Sequence, residues 1–390
     1  MPQIPPQDHA VPHVSTLPAN LNEHVELFVR EYDGTTGSHA PEPVLMLHGR
    51  SVPAVAGFDL QHGSYSWAQN LAHAGYDVFI MELQGSGLSP RPKMDNPCNA
   101  NPAQQHDDLV PDPLAATCPP AYPHQLGNSQ SEWDELDTVV EFIKKLRNVS
   151  RVAFIGWSAA AFVMGPYVIQ HPGKVSSLFL LAPIFPPNGS ASKPGTRFGA
   201  PLPLPLSTPA AQFGFPMNLL TKTALKNVWA PELQCPDQRE SGIEDVVWEA
   251  VLDNDPVGRT WGAGSAGAPE GVCRFRNSFW WGWNNTTVPL DNILGTVVPV
   301  AIVYGEFDTQ AMHPSADPRL NFSVPQLYAA IPGTDKLMIR LDCAGHQLVW
   351  ETRAPCLHHI ARQWLKHTAV DGHKSGKYAL DMNGTYTVIP

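Results

Sequence analysis

Short, nearly continuous apolar runs alternate along this chain with stretches of helical spacing. The runs are Pro43 to Leu47, Asp77 to Leu83, Arg151 to Ile155, Ser177 to Ala182, Val297 to Tyr304 and Lys336 to Leu341. Unbroken apolar runs of this length mark strands buried on both faces, as in a parallel sheet. Between them, residues 66–74, 132–147 and 159–171 have helical spacing. In the second, Trp133, Leu136, Val139, Val140, Ile143 and Leu146 recur every three or four positions. Gly75 is a stop signal for the first. Val25 to Arg30 adds an early strand. The alternation predicts an α/β fold with a mostly parallel, doubly wound sheet covered on both faces.

Two segments break the rhythm. Residues 94–131 are rich in proline and asparagine, and structureless loops of that length are uncommon and usually functional. Residues 184–291 stand between two core strands as an insertion. It opens on a Pro/Leu/Ala-rich stretch and holds Trp229, Trp248, Trp261, Trp280, Trp281 and Trp283, six of the chain's eleven tryptophans. The expected organisation is an N-terminal extension (1–24), a core (25–183 and 292–390) and the insertion. The indoles either wall a cleft for an apolar or aromatic group or pack the insertion onto the core. Trp280, Trp281 and Trp283 are the candidates for substrate contact.

The strand ends carry the chemistry. Ile155-Gly156-Trp157-Ser158-Ala159-Ala160 joins a strand to a helix through a sharp turn with a serine at its apex. Such a turn lifts a hydroxyl clear of the sheet and sets helix N-terminal amides behind it. A serine is a poor nucleophile without a base and a group that orients the base. Gly305-Glu306-Phe307-Asp308 ends one later strand, and Asp342-Cys343-Ala344-Gly345-His346 ends the next. Upstream, a strand ends in His48-Gly49-Arg50.

In these motifs, in this order, the chain resembles the serine hydrolases of the α/β-hydrolase fold, over roughly residues 25–185 and 295–368. The resemblance implies an esterase- or lipase-like enzyme with an inserted cap. It implies Ser158 as nucleophile, His346 as base and Asp308, rather than Glu306 or Asp342, as orienting carboxylate. The oxyanion hole would be the amides of Arg50 and Ala159, and the Arg50 side chain is either a contact for a substrate carboxylate or a solvated arginine. The family's usual last elbow glycine is here Ala160. Dehalogenases and epoxide hydrolases need aspartate where Ser158 stands. Ester hydrolysis leads; amide, lactone or carbon–carbon hydrolysis on the same triad, or a non-catalytic binding protein, remain alternatives. No metal or cofactor is implied.

Composition narrows the partners. A formal charge of -11 without a basic cluster disfavours nucleic acid. No apolar run approaches the ~20 residues of a membrane span. The N-terminal stretch lacks the apolar core of a signal peptide, yet Asn-x-Ser/Thr sequons start at Asn148, Asn188, Asn284, Asn285, Asn321 and Asn383. Six cysteines lack zinc-site spacing and allow 15 pairings. Pairing of sequence neighbours (Cys98 with Cys118, Cys235 with Cys273, Cys343 with Cys356) and a secreted, disulfide-bonded glycoprotein are the expectations.

Overall fold

The computed structural model describes residues 3–35, 42–192, 198, 214–264 and 268–390. Most of the Pro/Leu/Ala-rich stretch that opens the insertion lies outside them. The described strands in chain order are β1 (Gln7–Val14), β2 (His24–Asp33), β3 (Val44–Leu47), β4 (Asp77–Met81), β5 (Gly127–Asn128), β6 (Val152–Trp157), β7 (Val175–Leu181), β8 (Met217–Leu220), β9 (Cys273–Arg276), β10 (Ser278–Phe279), β11 (Val300–Gly305), β12 (Lys336–Leu341), β13 (Gly376–Leu380) and β14 (Tyr386–Val388). Ten of them form one sheet, ordered β1-β2-β4-β3-β6-β7-β11-β12-β13-β14. From β4 to β13 every pairing is parallel. The apolar runs read from the sequence are these strands, and every residue of β3, β4, β6 and β11 is buried.

Helices α1 (Ala54–Phe58), α2 (Trp67–His73), α3 (Ser129–Arg147), α4 (Ala161–Gln170), α7 (Val324–Ala330) and α8 (Ala354–His367) belong to the core, and α5 (Lys222–Trp229) and α6 (Ile243–Asp253) to the insertion. Ser66 caps α2 through the Gln69 amide. A capping box of Asn128 and Ser131 starts α3 at Ser129, four residues before the first periodic apolar position, Trp133.

Residues 1–24 differ from the expected extension. Gln7–Val14 is an antiparallel edge strand paired residue for residue with β2. Its Pro12 is tolerated because an edge strand has one side without a ladder. The loop 94–131 is also ordered. It carries short helical turns and the Cys98–Cys118 disulfide, and β5 pairs with β10 of the insertion. Leu17, Met94, Leu109 and Leu126 share a second small core with Met217, Trp261 and Val272. Loop and insertion are therefore packed as one body above the strand ends.

The cysteine pairing corrects the nearest-neighbour expectation. Cys235 bonds to Cys343 across 108 residues, leaving Cys273 and Cys356 as thiols. Cys273 is buried, with its sulfur 3.6 Å from the Ser51 carbonyl. Burial pushes its thiol up to about 12. The sequon at Asn284 is closed as well: the side chain is buried and its amide donates to the carbonyls of Gly189 and Ser190.

Candidate active site

Ser158, His346 and Asp308 stand at the carboxyl ends of three parallel strands, β6, β12 and β11. A parallel sheet opens its crevice at this edge. Ser158 has a φ of 58°, a left-handed conformation that a non-glycine residue holds only under constraint. The constraint is local: β6 enters from below, a helical turn (Ser158–Ala160) leads into α4, and the Ile184 amide donates to the Ser158 carbonyl at 3.1 Å. Ala160 fits because Gly156 offers no side chain. A Cβ there would lie 3.2 Å from the Ala160 methyl, so the small residue two before the serine makes room for the methyl two after it.

The three side chains are hydrogen-bonded in series. Ser158 Oγ donates to His346 Nε2 at 2.9 Å, and His346 Nδ1 donates to both Asp308 oxygens at 3.0 Å. Asp308 is held by the amides of Gln310 and Ala311 at 3.0 and 2.7 Å. Burial lowers the His346 pKa, but the Asp308 carboxylate, joined by Glu232 and Glu351, outweighs it, so the net shift is upward. The rival carboxylates point elsewhere: Glu306 accepts the Cys343 amide, and Asp342 accepts from Arg340.

Gly49 approaches the serine so closely that a Cβ on it would lie 3.1 Å from the Ser158 Cβ. The next amide, that of Arg50, is not taken by another backbone carbonyl among the described residues, and the Ala159 amide follows the serine in the first helical turn. His48 braces this loop. It is buried, donates from Nδ1 to the Gly49 carbonyl at 2.5 Å and accepts the Leu83 amide at 3.3 Å. Burial pushes its pKa down to about 3, so it stays neutral.

Two carboxylates that sequence reading missed support the histidine loop. Glu232, just after α5, accepts the His346 amide at 2.7 Å with one oxygen. Its other oxygen takes the amide and hydroxyl of Thr309 at 2.9 and 2.8 Å. Glu351 accepts the Gly345 amide and the Trp229 indole, both at 2.9 Å. Both carboxyls are buried, and burial raises both pKa values, that of Glu351 to about 7. No local pattern marks Glu232. Its role follows from the fold laying the insertion over the β12 loop. Trp157 donates its indole to the His346 carbonyl at 3.2 Å.

Above the serine lies a cavity of about 1060 Å³. The tryptophans divide. Trp280, Trp281 and Trp283 line it, whereas Trp229, Trp248 and Trp261 are buried in packing. Trp280 stacks on Phe162 with ring centres 4.8 Å apart and donates to Glu132 at 2.8 Å. Trp281 and Trp283 are almost wholly enclosed, and Trp281 sits edge-on to Trp133. The three are a rigid wall. Among the described residues, no cluster of side chains could hold a metal ion, and no helix is long and apolar enough to cross a membrane.

A family model described as the alpha/beta hydrolase fold matches residues 42–352. No curated protein matches the sequence. Among solved structures, the chain is similar to a serine hydrolase of the polyaromatic-hydrocarbon-degrading bacterium Cycloclasticus zankles, with 15% identity, 93% of this chain and 98% of that one covered, and a TM-score of 0.51. It is also similar to a thermophilic esterase from Thermogutta terrifontis (14% identity, 92% and 98% covered, TM-score 0.44). A third similar structure is the epoxide hydrolase CorEH (13% identity, 92% and 99% covered, TM-score 0.46). At these identities the likeness speaks to the fold.

Proposed function

The chain belongs to the α/β-hydrolase fold family, and from that premise we propose that it is a serine hydrolase cleaving a carboxylic ester of a bulky apolar or aromatic substrate. The observation that carries this reading is the unbroken series Ser158 Oγ, His346, Asp308 beneath an aromatic-walled cavity.

In the proposed reaction, His346 Nε2 takes the Ser158 proton as Oγ attacks the ester carbonyl. The carbonyl oxygen gains negative charge and meets the amides of Arg50 and Ala159. One such donor is worth ~3 kcal/mol of transition-state stabilisation. The carboxylate of Asp308 keeps the histidine's Nδ1 protonated, so that Nε2 is free to accept, and it stabilises the imidazolium that forms. The upward shift of His346 suits a group that must hold this proton before handing it to the leaving alcohol. Water, deprotonated by the same nitrogen, then releases the acid from Ser158. The two disulfides support an oxidising compartment for the protein.

The test is labelling with a fluorophosphonate probe together with turnover of aryl esters, on the wild-type protein and on Ser158→Ala. We expect the variant to fold, to take no label and to lose turnover by ~10⁴-fold or more. Retention of most activity by Ser158→Ala would overturn the reading.

A further inference from the structure

The cavity above Ser158 is walled almost entirely by uncharged side chains. Its charged lining groups, apart from histidines, are Arg50, Asp317 and Arg319. Arg319 and Asp317 neutralise each other at 2.7 Å on the exposed rim. Arg50 is left over. It follows Gly49, so its backbone lies beside the nucleophile, and its guanidinium carbon sits 5.3 Å from the centre of the Phe275 ring. That ring face is its recorded partner. Among the described residues no carboxylate pairs with it. The charge that does bear on it is a second cation, Arg276, which Glu132 already holds at 2.7 Å.

Arg50 is also an unusual kind of exposed arginine. Its side chain is exposed, and the space it faces is the cavity; the surrounding protein and Arg276 lower its pKa. A structural arginine would have an acceptor. Among the described residues the guanidinium's five donors meet no protein acceptor, and the Phe275 ring face, which offers cation–π contact alone, leaves them open to a ligand in the cavity. The arrangement stabilises whatever anion enters. The planar fork of donors matches a carboxylate, which it can grip with two parallel bonds.

We propose that Arg50 is the anion anchor of the substrate site, and that the natural ester carries a carboxylate in addition to its apolar or aromatic body. The proposal rests on the reading of this cavity as the site of an ester hydrolase. It deepens that reading: the carboxylate lies within one arginine side chain of the scissile carbonyl, because the same residue offers its amide to the oxyanion. Half-esters of dicarboxylic acids and esters of hydroxylated aromatic acids have this shape. Neutral lipids and simple alkyl esters do not.

The experiment separates the anchor from catalysis. Ser158→Ala protein, which turns nothing over, is titrated calorimetrically with 2-naphthoate and with 2-naphthamide, ligands of the same ring and nearly the same size. Naphthoate is expected to bind about 10- to 100-fold more tightly, the range of a hydrogen-bonded charge. Adding Arg50→Met should bring the ratio to about one. Arg50→Lys, which keeps the charge and loses the fork, should retain part of it. Circular dichroism checks that each variant is folded, and Arg50→Gln replaces Arg50→Met if the latter is not. Equal binding of the two ligands, absence of naphthoate binding, or a preference that survives the loss of the guanidinium overturns the proposal. Ester turnover does not enter this measurement. An inactive wild type would remove the proposed function and leave the anchor standing, and equal binding beside normal turnover would remove the anchor alone.

Discussion

The two ends of the hydrogen-bonded series are held by different parts of the molecule. Ser158 is positioned chiefly by its own neighbourhood in sequence, β6, one helical turn and α4, with Gly156 and Ala160 in contact, and beyond it by the Ile184 amide at the junction of core and insertion. His346 is positioned from a distance. Its amide is held by Glu232 of the insertion, its loop is joined to the insertion by Cys235–Cys343, and the preceding Gly345 amide is held by a carboxylate that also binds Trp229. The placement of Ser158 is thus set chiefly by the core, and that of His346 by core and insertion together. Disturbing the insertion should damage the histidine and spare the serine's geometry.

The largest effect should come from the core side of the histidine. Asp308→Asn is expected to lower turnover by ~10⁴-fold, because an amide favours the wrong tautomer of His346. Steady-state kinetics on the folded variant check this. If Glu306→Gln is the more damaging change, the assignment of the orienting carboxylate is wrong.

From the insertion side, Glu232→Gln should cost about 10- to 100-fold, the scale of a small misplacement of a catalytic group. It should also move the pH profile. Activity requires neutral His346, so it rises as pH rises through the histidine's raised pKa. Glu232 contributes to that elevation after Asp308. Its neutralisation should shift the acid limb to lower pH, and an effect on packing alone would leave the limb in place.

The disulfides sharpen the same contrast. Removing Cys235–Cys343, which closes 108 residues, is expected to cost ~4–5 kcal/mol of stability on a chain-entropy account, against ~3 for Cys98–Cys118 with a separation of 20. Only the first should also lower turnover. Denaturation melts and kinetics on the paired serine variants compare them. Thiol titration of the denatured, unreduced chain should find the two thiols of Cys273 and Cys356.

The smallest effect concerns pH and stability. Burial raises the pKa of Glu82, Glu135 and Glu351 to about 7. Between the unfolded value of ~4.3 and about 7, the folded chain holds protons that the unfolded chain has released. These groups therefore favour the fold at the acid end of that window, and their contribution falls as pH rises through it. Buried neutral His48 and His358 act in the opposite sense, so the check is differential: by scanning calorimetry, the change in melting temperature from pH 5.5 to 7.5 should be more positive in Glu351→Gln than in the wild type.

The sequence by itself determined the parallel sheet and the ends of its strands. Those features depend on residues a few positions apart: apolar runs, helical periods, a small residue two before a serine. Ser158, Asp308 and His346 were legible because each sits where such a pattern ends. The edge strand β1 was not legible, since an edge needs only one apolar face and tolerates Pro12. Nor did periodicity show which tryptophans wall the cavity, because lining and packing indoles have the same local signature. The tertiary structure alone decided that Cys235 meets Cys343, that Glu232 holds the histidine loop and that Arg50 faces the cavity without an acceptor among the described residues. Each of these relations joins segments far apart in the chain. Their partners are chosen by how the insertion packs over the strand ends, and no spacing within either segment records that choice.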